Sequence, residues 1–406
     1  MLASAAGCGD DDDGSSGTVT LRPSADDQTA FQTAFVEAQT GDTILIEPGT
    51  YRFTTELTLT THGVTLRGTG PDVVLDFAMQ DSGGNAIKVT GDDFTIENLT
   101  VKNTPGDGVV VDGTTNATFR GLTVSWDAGS VEENGAYAIY PINVTNVLVE
   151  NCEVVGASDA GIYVGQSRNI IVRNNVVHGN VAGIEIENST GADVYDNETY
   201  DNTAGILVFN LPNLPVKDGR RARIYGNQVR ENNRDNFAIP GNIVAAVPRG
   251  TGILILAADE TEIFDNDIEG NLGAGILQVG WETLEMFVSG GGADDPQYDL
   301  YPETTYIYDN RFDGNGTSPG SPFDLFGLTS LEAIVWDGLV DTAGLMAGTK
   351  DNAMGQLDLC IGPNMGATFM NLDAANGFMN ISRDTAPHDC THDNLSPIVL
   401  NPPAAP

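Results

Sequence analysis

Two tyrosines and two glutamates in a repeated part of the chain combine residue types that could carry acid–base chemistry. Tyr140 and Tyr163 precede Glu185 and Glu187 at related places in successive repeats. Carboxyl groups transfer protons, and a tyrosine and a carboxyl on adjacent strands would lie roughly 5 to 6 Å apart. Tyrosine rings stack on sugar rings, and carboxylates accept hydrogen bonds from hydroxyls. All four residues are therefore candidates for catalysis, and the two tyrosines for binding a sugar.

The repeat that positions these side chains runs from Asn146 to Phe209. Its units end in Gly-Ile-x-Val or Gly-Ile-x-Ile, and their glycines, Gly161, Gly183 and Gly205, are 22 residues apart. A period of this length indicates a solenoid, and short alternating β-branched runs bounded by Gly and Asn indicate units of strand and turn. In each such strand the Ile and Val should point inward and the residue between them outward. The repeated asparagines are expected to form hydrogen-bonded ladders with a structural role.

Aligned coils place the candidate residues in outward columns on one face of the solenoid. The first column is Lys88, Val110, Tyr140, Tyr163, Glu185, Leu207, Leu254 and Leu277, and a second includes Asp112, Glu187, Phe209 and Leu256. One half of this face is thus polar and aromatic, and the other half is apolar. The polar half is either the floor of a sugar-binding groove or an exposed sheet face partly covered by loops. The apolar half is expected to lie under a long insertion.

Composition limits the partners. The chain has 406 residues, with 18 Lys and Arg against 57 Asp and Glu, for a formal charge of −39. Such a surface repels nucleic acid, so we expect no nucleic-acid partner. It is also a poor partner for a polyanionic sugar unless cations bridge the two. No cofactor is predicted with certainty and no metal ligands are assigned, although the acidic surface leaves calcium as an alternative.

The N-terminal residues resemble the end of a bacterial lipoprotein signal. Small residues precede Cys8, and an Asp/Gly/Ser-rich stretch follows it. The resemblance implies that Cys8 is lipidated and that the protein is exported and anchored in the periplasm or at the outer-membrane surface. The alternative is a disordered acidic tail. No other stretch is apolar enough for a membrane span, so contact with the membrane is expected through the lipid only.

Two segments ahead of the repeats resemble the pectate-lyase-like superfamily of right-handed parallel β-helices. They are residues 41–51, with the sequence GDTILIEPGTY, and residues 64–70, with the sequence VTLRGTG. The resemblance covers roughly residues 25–316 and implies an all-β solenoid of roughly ten coils. An amphipathic helix opening near Ser24 and an irregular C-terminal segment would cap its two ends. The superfamily includes polysaccharide lyases, hydrolases and epimerases as well as proteins without catalytic activity, so activity is not decided.

The coil register divides the chain into three parts. These are a disordered tether over residues 1–18, the β-helix over 19–320 and a C-terminal cap over 321–406. In the cap, Cys360 and Cys390 lie close together beyond the repeats, where an exported protein could oxidise them to a disulfide. Cys152 falls inside a repeat strand, where a buried free thiol is expected.

Three insertions lengthen the period of the repeat. They lie near residues 126–135, 211–249 and 281–303. Long loops on a rigid solenoid commonly carry function. Trp126 and Asp127, at the start of the first insertion, are therefore predicted to form one wall of the groove and to contact the sugar.

The catalytic signatures of known β-helix enzymes are incomplete in this sequence. The one epimerase-like run, Ala386 to Asp389, lies in the C-terminal segment, and no arginine is marked as a catalytic base. Two hypotheses follow. The first is an exported β-helix protein that binds or processes a polysaccharide. The second is a non-catalytic module of the cell envelope that holds a protein partner through its long loops. In either case we expect a monomer.

Overall fold

Short alternating β-branched runs form strands that wind in parallel coils around one axis. A computed structural model describes residues 17–287, 295–342, 346 and 359–400. Each coil adds a strand to each of three parallel sheets, as the 22-residue period predicts. The all-β solenoid of about ten coils is therefore confirmed. Cys8 and part of the third insertion lie outside the described residues.

The first sheet has 12 strands within the described residues. They are Thr18–Leu21, Thr43–Ile46, Thr65–Gly68, Phe94–Glu97, Thr115–Arg120, Thr145–Glu150, Arg168–Arg173, Thr190–Tyr195, Arg220–Tyr225, Asp259–Phe264, Thr305–Tyr308 and Leu359–Ile361. The strand Thr18–Leu21 precedes the capping helix and pairs with Thr43–Ile46, so it begins the solenoid one rung before the first strand that the sequence predicts.

The second and third sheets have 11 and 10 strands in the same part of the chain. The second consists of Thr55–Leu59, Ser82–Val89, Asp107–Asp112, Tyr137–Ile142, Ala160–Gly165, Ala182–Glu187, Ala204–Phe209, Thr251–Leu256, Ile276–Val279, Ile334–Trp336 and Phe369–Asn371. The third consists of Gly49–Arg52, Val73–Asp76, Thr100–Lys102, Thr123–Ser125, Glu153–Val155, Val176–His178, Glu198–Tyr200, Gln228–Arg230, Asp267–Glu269 and Arg311–Asp313.

The inward side chains of the three sheets form one continuous apolar core. Ile162 pairs with Ile184 and Ile184 with Ile206, and all three are fully buried in it. The residues between the inward positions also align as predicted, because Tyr163 pairs with Glu185 and Glu185 with Leu207. The inward and outward assignment of the Gly-Ile-x-Val strands is therefore confirmed.

An amphipathic helix, Asp27–Glu37, covers the first coil. Its Phe31 ring packs edge-on against Tyr51 and Phe53, at centroid distances of 5.1 and 5.0 Å. The helix cap differs from the predicted opening near Ser24. Asp26 is the N-cap, and its carboxylate accepts a hydrogen bond from the Thr29 amide at 3.1 Å.

Stacked asparagines line two turns of the solenoid. One ladder runs through Asn175, Asn197, Asn227, Asn266, Asn310 and Asn364, and a second through Asn180, Asn202, Asn232, Asn271 and Asn315. The sequence pattern places Asn98, Gly121, Asn151 and Asn174 in one series with the ladder asparagines, and this register is wrong by one residue in those four coils. Asn151 and Asn174 occupy left-handed turn positions, with φ of 55° each, whereas Cys152 and Asn175 occupy the ladder position. Cys152 is a buried free thiol, as predicted.

The C-terminal segment extends two of the sheets instead of forming a purely irregular cap. Ile334–Trp336 and Phe369–Asn371 continue the second sheet, and Leu359–Ile361 ends the first. Cys360 and Cys390 form the predicted disulfide. Short 3-10 helices complete the described residues at Ile243–Ala246, Phe323–Phe326, Ala374–Asn376 and Ala386–His388.

After the disulfide, the chain turns back along the outer face of the first sheet. The Leu395 amide donates to Glu262 and the Ile398 amide to Asp193, both at 3.1 Å. The Asn394 side-chain amide donates to the Tyr308 hydroxyl oxygen at 2.6 Å. This strap, residues 391–400, therefore crosses several rungs.

The predicted apolar half of the second sheet is covered, as expected. Leu207, Leu254 and Leu277 are buried in a second apolar cluster outside the solenoid core. Residues of the second and third insertions, among them Val244 and Trp281, belong to the same cluster. The helix Trp281–Glu285 is held there by the buried Asp337, which accepts from the Gly280 amide and the Thr283 hydroxyl.

Candidate functional site

The polar half of the second sheet brings the four candidate residues together. Tyr140 lies on the strand Tyr137–Ile142, Tyr163 on the next strand, and Glu185 and Glu187 on the third. The Tyr163 hydroxyl donates a short hydrogen bond to Oε1 of Glu187. Gln166 Nε2 lies 3.4 Å from the same oxygen. Tyr163, Glu185 and Glu187 are buried, so they do not form an open floor.

Two residues that the sequence analysis missed complete this group. The Tyr137 hydroxyl donates to Oδ2 of Asp159 at 3.4 Å. The Tyr137 ring contacts those of Tyr140 and Tyr163, with centroid distances of 4.7 and 4.4 Å. We refer to Tyr137, Asp159, Tyr163, Glu185 and Glu187 as the acid–tyrosine cluster. The cluster lies where the polar half of the second sheet's outer face meets the covered apolar half.

Burial controls the protonation of these carboxyl groups. It raises the pKa of Asp159 and that of Glu187 to about 7, and the charges of neighbouring carboxylates add to the shift of Asp159. The pKa of Glu185 is also raised well above its ordinary value, first by burial and then by the charges of Asp159 and Glu187. Glu185 Oε2 has no hydrogen-bond partner among the residues that the structure describes. These groups can therefore hold protons near neutral pH.

Asp107 connects the buried cluster to the open surface. It is half-buried on the preceding rung, and its carboxylate accepts from the Tyr137 amide at 3.2 Å. Burial raises the pKa of Asp107 to about 6. Tyr140 is also half-buried, and burial raises its pKa to about 12, so it stays neutral. The open layer thus has an acid that can gain or lose a proton beside a neutral phenol.

Trp126 and Asp127, which the sequence predicts to form one wall of the groove, do not contact this site. The Trp126 ring is buried in the solenoid core, and its indole N–H donates to the Thr104 carbonyl at 2.7 Å. Asp127 is exposed and pairs with Lys102 at 2.5 Å and with the Asn103 amide. Neither side chain joins the acid–tyrosine cluster, because the first insertion turns Trp126 inward.

Tyr137 and Asp159 could have been found in the sequence, because each departs from the residue type that the repeat has at its position. Asp159 occupies the place that Val181 and Thr203 take in the following coils, two residues before the repeat glycine. Tyr137 pairs with Ala160, which in turn pairs with Ala182, so one bulky ring stands in a column of alanines. A residue of unusual size or polarity at a repeat position thus indicates a member of the site. Neither Tyr137 nor Asp159 lies in the two outward columns that the sequence analysis aligns.

Among the described residues, one cluster of three acidic side chains has the spacing of a metal site. Oxygen atoms of Asp259, Asp299 and Glu303 lie within 4.8 Å of one another. This group lies between the first sheet and the third insertion, away from the acid–tyrosine cluster, and the Glu303 amide donates to Asp259. At the C-terminus, Cys390 is oxidised and His388 Nδ1 lies 3.0 Å from the Leu359 carbonyl oxygen. Those two residues are thus engaged in structural contacts.

Comparisons with known proteins agree on the fold. Residues 130–290 match the family described as right handed beta helix region. The A-modules of the mannuronan C-5 epimerases AlgE4 and AlgE6 from Azotobacter vinelandii are structurally similar. For AlgE4 the identity is 15% and the TM-score 0.53, with 84% of this chain and 90% of that chain covered. For AlgE6 the identity is 15% and the TM-score 0.51, with 84% of this chain and 89% of that chain covered.

A polygalacturonase from Erwinia carotovora subsp. carotovora is also similar. It shares 12% identity and a TM-score of 0.50, with coverage of 74% of this chain and 92% of that chain. No curated protein sequence matches this chain. At these identities the likeness establishes the fold alone: the chain is a right-handed parallel β-helix, as its sequence predicts. Among the described residues, no helix has the length and apolar character needed to span a membrane.

Proposed function

We propose that the protein binds a polysaccharide on the polar half of the second sheet's outer face and processes it there by acid–base chemistry. The observation that carries this proposal is the continuity between the half-buried polar side chains of this face and the buried acid–tyrosine cluster, with Asp107 and Tyr140 at the junction. The structurally similar epimerases and polygalacturonase support it, because their names refer to uronate polysaccharides. A glycan chain would lie across the rungs and contact the half-buried side chains first.

In this proposal, Asp107 is the acid–base group that contacts substrate. A group with a pKa of about 6 is present in both protonation states near neutral pH, which suits proton transfer. The backbone amide of Tyr137 fixes the carboxylate of Asp107, and the hydroxyl of the same tyrosine contacts Asp159. Tyr137 is therefore a positioning residue between the open and buried layers. The neutral ring of Tyr140 offers a surface for stacking against a sugar ring.

Binding and turnover assays on the wild type and three variants would test the proposal. Glycan arrays would identify a bound polysaccharide, and reducing-end and unsaturated-product assays would detect cleavage. We expect Asp107→Asn to lower turnover by at least about 100-fold with little change in affinity. Tyr140→Ala should instead weaken binding by about ten-fold, through the loss of ring contacts. Glu153→Gln, an exposed change on the third sheet, is the matched control and should alter neither.

The outcomes separate the two hypotheses about function. Binding without product would indicate a glycan-binding protein with no catalytic step. The absence of any glycan binding, or equal turnover in the wild type and in Asp107→Asn, would contradict the proposed chemistry. Recovery of a stable protein complex from the cell envelope, with no glycan bound, would favour the interaction module instead.

We further propose that the protein is exported and carries a lipid on Cys8. The disulfide between Cys360 and Cys390 supports this, because such bonds persist in oxidising compartments. Mass spectrometry of the protein from its native membrane would test it, with Cys8→Ser as the variant. We expect a diacyl-modified N-terminal Cys8 in the wild type and soluble protein in the variant. An unmodified N-terminal segment that retains residues 1–7 would contradict this proposal.

A further inference from the structure

The outer face of the second sheet is acidic in its polar half. Five carboxyl groups lie on or beside the outer face of the second sheet in its polar half: Asp107, Asp112, Asp159, Glu185 and Glu187. In the outward columns of this sheet, Lys88 is the one basic side chain that the structure describes. Whether ionised or protonated, the five carboxyl groups supply no positive charge. An anionic ligand would therefore find a single cation on this surface.

Two basic residues of the second insertion are already paired with acids. Lys217, in the second insertion, forms a short ion pair with Asp295. Arg249 pairs with Asp235 at 2.8 Å, inside the same insertion. On the other side, the exposed residues Glu132 and Glu133 add negative charge to the first insertion. These loop residues therefore do not compensate for the acidity of this face.

We propose that the glycan bound at this face is uncharged, although the similar enzymes act on uronate polymers. This inference rests on the proposed function and specifies the substrate class. A uronate chain carries one carboxylate per sugar, and each would approach Asp107 or Asp112 with Lys88 as the one nearby counter-charge. A like-charge pair repels at close range even in water, and it repels more strongly where solvent is excluded. Anionic chains should therefore be rejected by repulsion.

An uncharged sugar suits the same surface. Its hydroxyl groups are hydrogen-bond donors, and carboxylates are acceptors with several lone-pair directions. Asp112 accepts a hydrogen bond from the Asn143 amide at 3.2 Å, which fixes its orientation while leaving lone pairs for a ligand. The ring of Tyr140 supplies an apolar surface for the non-polar face of a sugar ring. A face that offers carboxylate acceptors and an aromatic ring, with few cations, therefore suits a neutral chain rich in hydroxyl groups.

Affinity electrophoresis and calorimetry with two polymer sets would test this inference. One set contains uncharged glucans, galactans, mannans and xylans, and the other contains polygalacturonate and alginate without calcium. We expect binding within the uncharged set, with less than about a two-fold change in Kd between about 0.02 M and about 0.5 M NaCl, because no ion pairs form. The uronates should bind at least about ten-fold more weakly at low salt, and added salt should narrow the gap.

Charge-neutralising variants provide the second readout. Asp112→Asn keeps the shape and removes one negative charge, so it should raise uronate affinity about five-fold. The uncharged ligand loses a carboxylate acceptor in this variant, so its affinity should fall or stay the same and should not rise. Glu153→Gln removes one charge on the third sheet and should change neither. Tighter binding of a uronate than of every uncharged polymer, with loss in Tyr140→Ala, would overturn this inference and leave the proposed function standing. Binding of neither set would overturn both.

Discussion

The Tyr163 hydroxyl bonds to Glu187, although the strand register pairs Tyr163 with Glu185. The register pairs Glu187 with Gly165, which has no side chain. The Tyr163 ring lies over this glycine, and a Cβ atom built on Gly165 would meet ring carbon Cε1 at 2.5 Å and the hydroxyl oxygen at 2.7 Å. The vacant space at Gly165 therefore lets the phenol reach the neighbouring column.

Gly165→Ala should disrupt this arrangement. Because the new methyl group would overlap the Tyr163 ring, the ring must move and its bond to Glu187 should break. We expect the free energy of unfolding to fall by about 1 to 3 kcal/mol, measured by urea denaturation. Gly84→Ala is the control, since a Cβ there meets nothing within 4 Å. Equal stability of the two variants would show that the Tyr163 ring is not confined.

Tyr163→Phe removes the hydrogen bond and keeps the ring. The bond to Tyr163 lowers the pKa of Glu187 against the larger effect of burial. Its loss should therefore raise the pKa of Glu187 further and destabilise the fold by about 1 kcal/mol. Carbon-13 NMR titration of the side-chain carboxyl groups would measure the shift. A lower pKa of Glu187 in the variant would contradict the assigned hydrogen bond.

The buried acids should make stability fall as the pH rises. Asp159 and Glu187 have ordinary pKa values of 3.8 and 4.5, and burial raises both to about 7 in the folded state. Between these limits the native protein binds more protons than the unfolded chain. The stabilisation is thus complete below about pH 4 and is lost as the pH rises through about 7.

Denaturation over a series of pH values would measure this loss, which we expect to reach at least about 2 kcal/mol. The double variant Asp159→Asn and Glu187→Gln should show a flatter profile in the same window. Glu153→Gln should keep the wild-type profile. Parallel pH profiles for the wild type and the double variant would argue against buried, proton-holding carboxyls.

Substituting an asparagine at the centre of the first ladder should destabilise the fold. Asn227 accepts from the Asn197 amide at 3.0 Å and donates to Asn266 at 2.9 Å. Asn227→Ala removes the acceptor of the Asn197 backbone and side-chain amides and the side-chain donor to Asn266 and to the Val194 carbonyl. We therefore expect a loss of about 2 to 4 kcal/mol in thermal or urea denaturation. Asn174→Gly is the control, because Asn174 is exposed with φ of 55° and glycine accepts that conformation. A similar loss in both variants would contradict the ladder.

Breaking the disulfide should loosen the C-terminal strap. Cys360 and Cys390 are 30 residues apart, and opening a loop of this size costs about 3.6 kcal/mol. We expect Cys390→Ser to lower Tm and to increase hydrogen exchange at the Leu395 and Ile398 amides, which bond to Glu262 and Asp193. Reduction should have no further effect on this variant. Unchanged exchange at both amides would mean that the strap is held without the disulfide.

The sequence determined the solenoid and its inward positions because both depend on local periodicity. Gly161, Gly183 and Gly205 mark the period, and the alternation after each one decides which side chains enter the core. The asparagine register was harder to predict. Adjacent asparagines such as Asn174 and Asn175 are equivalent in pattern, and only backbone conformation distinguishes the left-handed turn residue from the ladder residue.

Tertiary structure alone decided what happens outside the core. Tyr163, Glu185 and Glu187 point outward as their repeat position predicts, yet they are buried, because distant loops cover the sheet and Tyr137 packs beside them. Contacts between a loop and a sheet depend on how an insertion folds back, which has no period to indicate it. Asp159 joins the cluster for the same reason. The sequence thus determined the side on which each residue lies, and the packing of the insertions determined its solvent exposure and protonation.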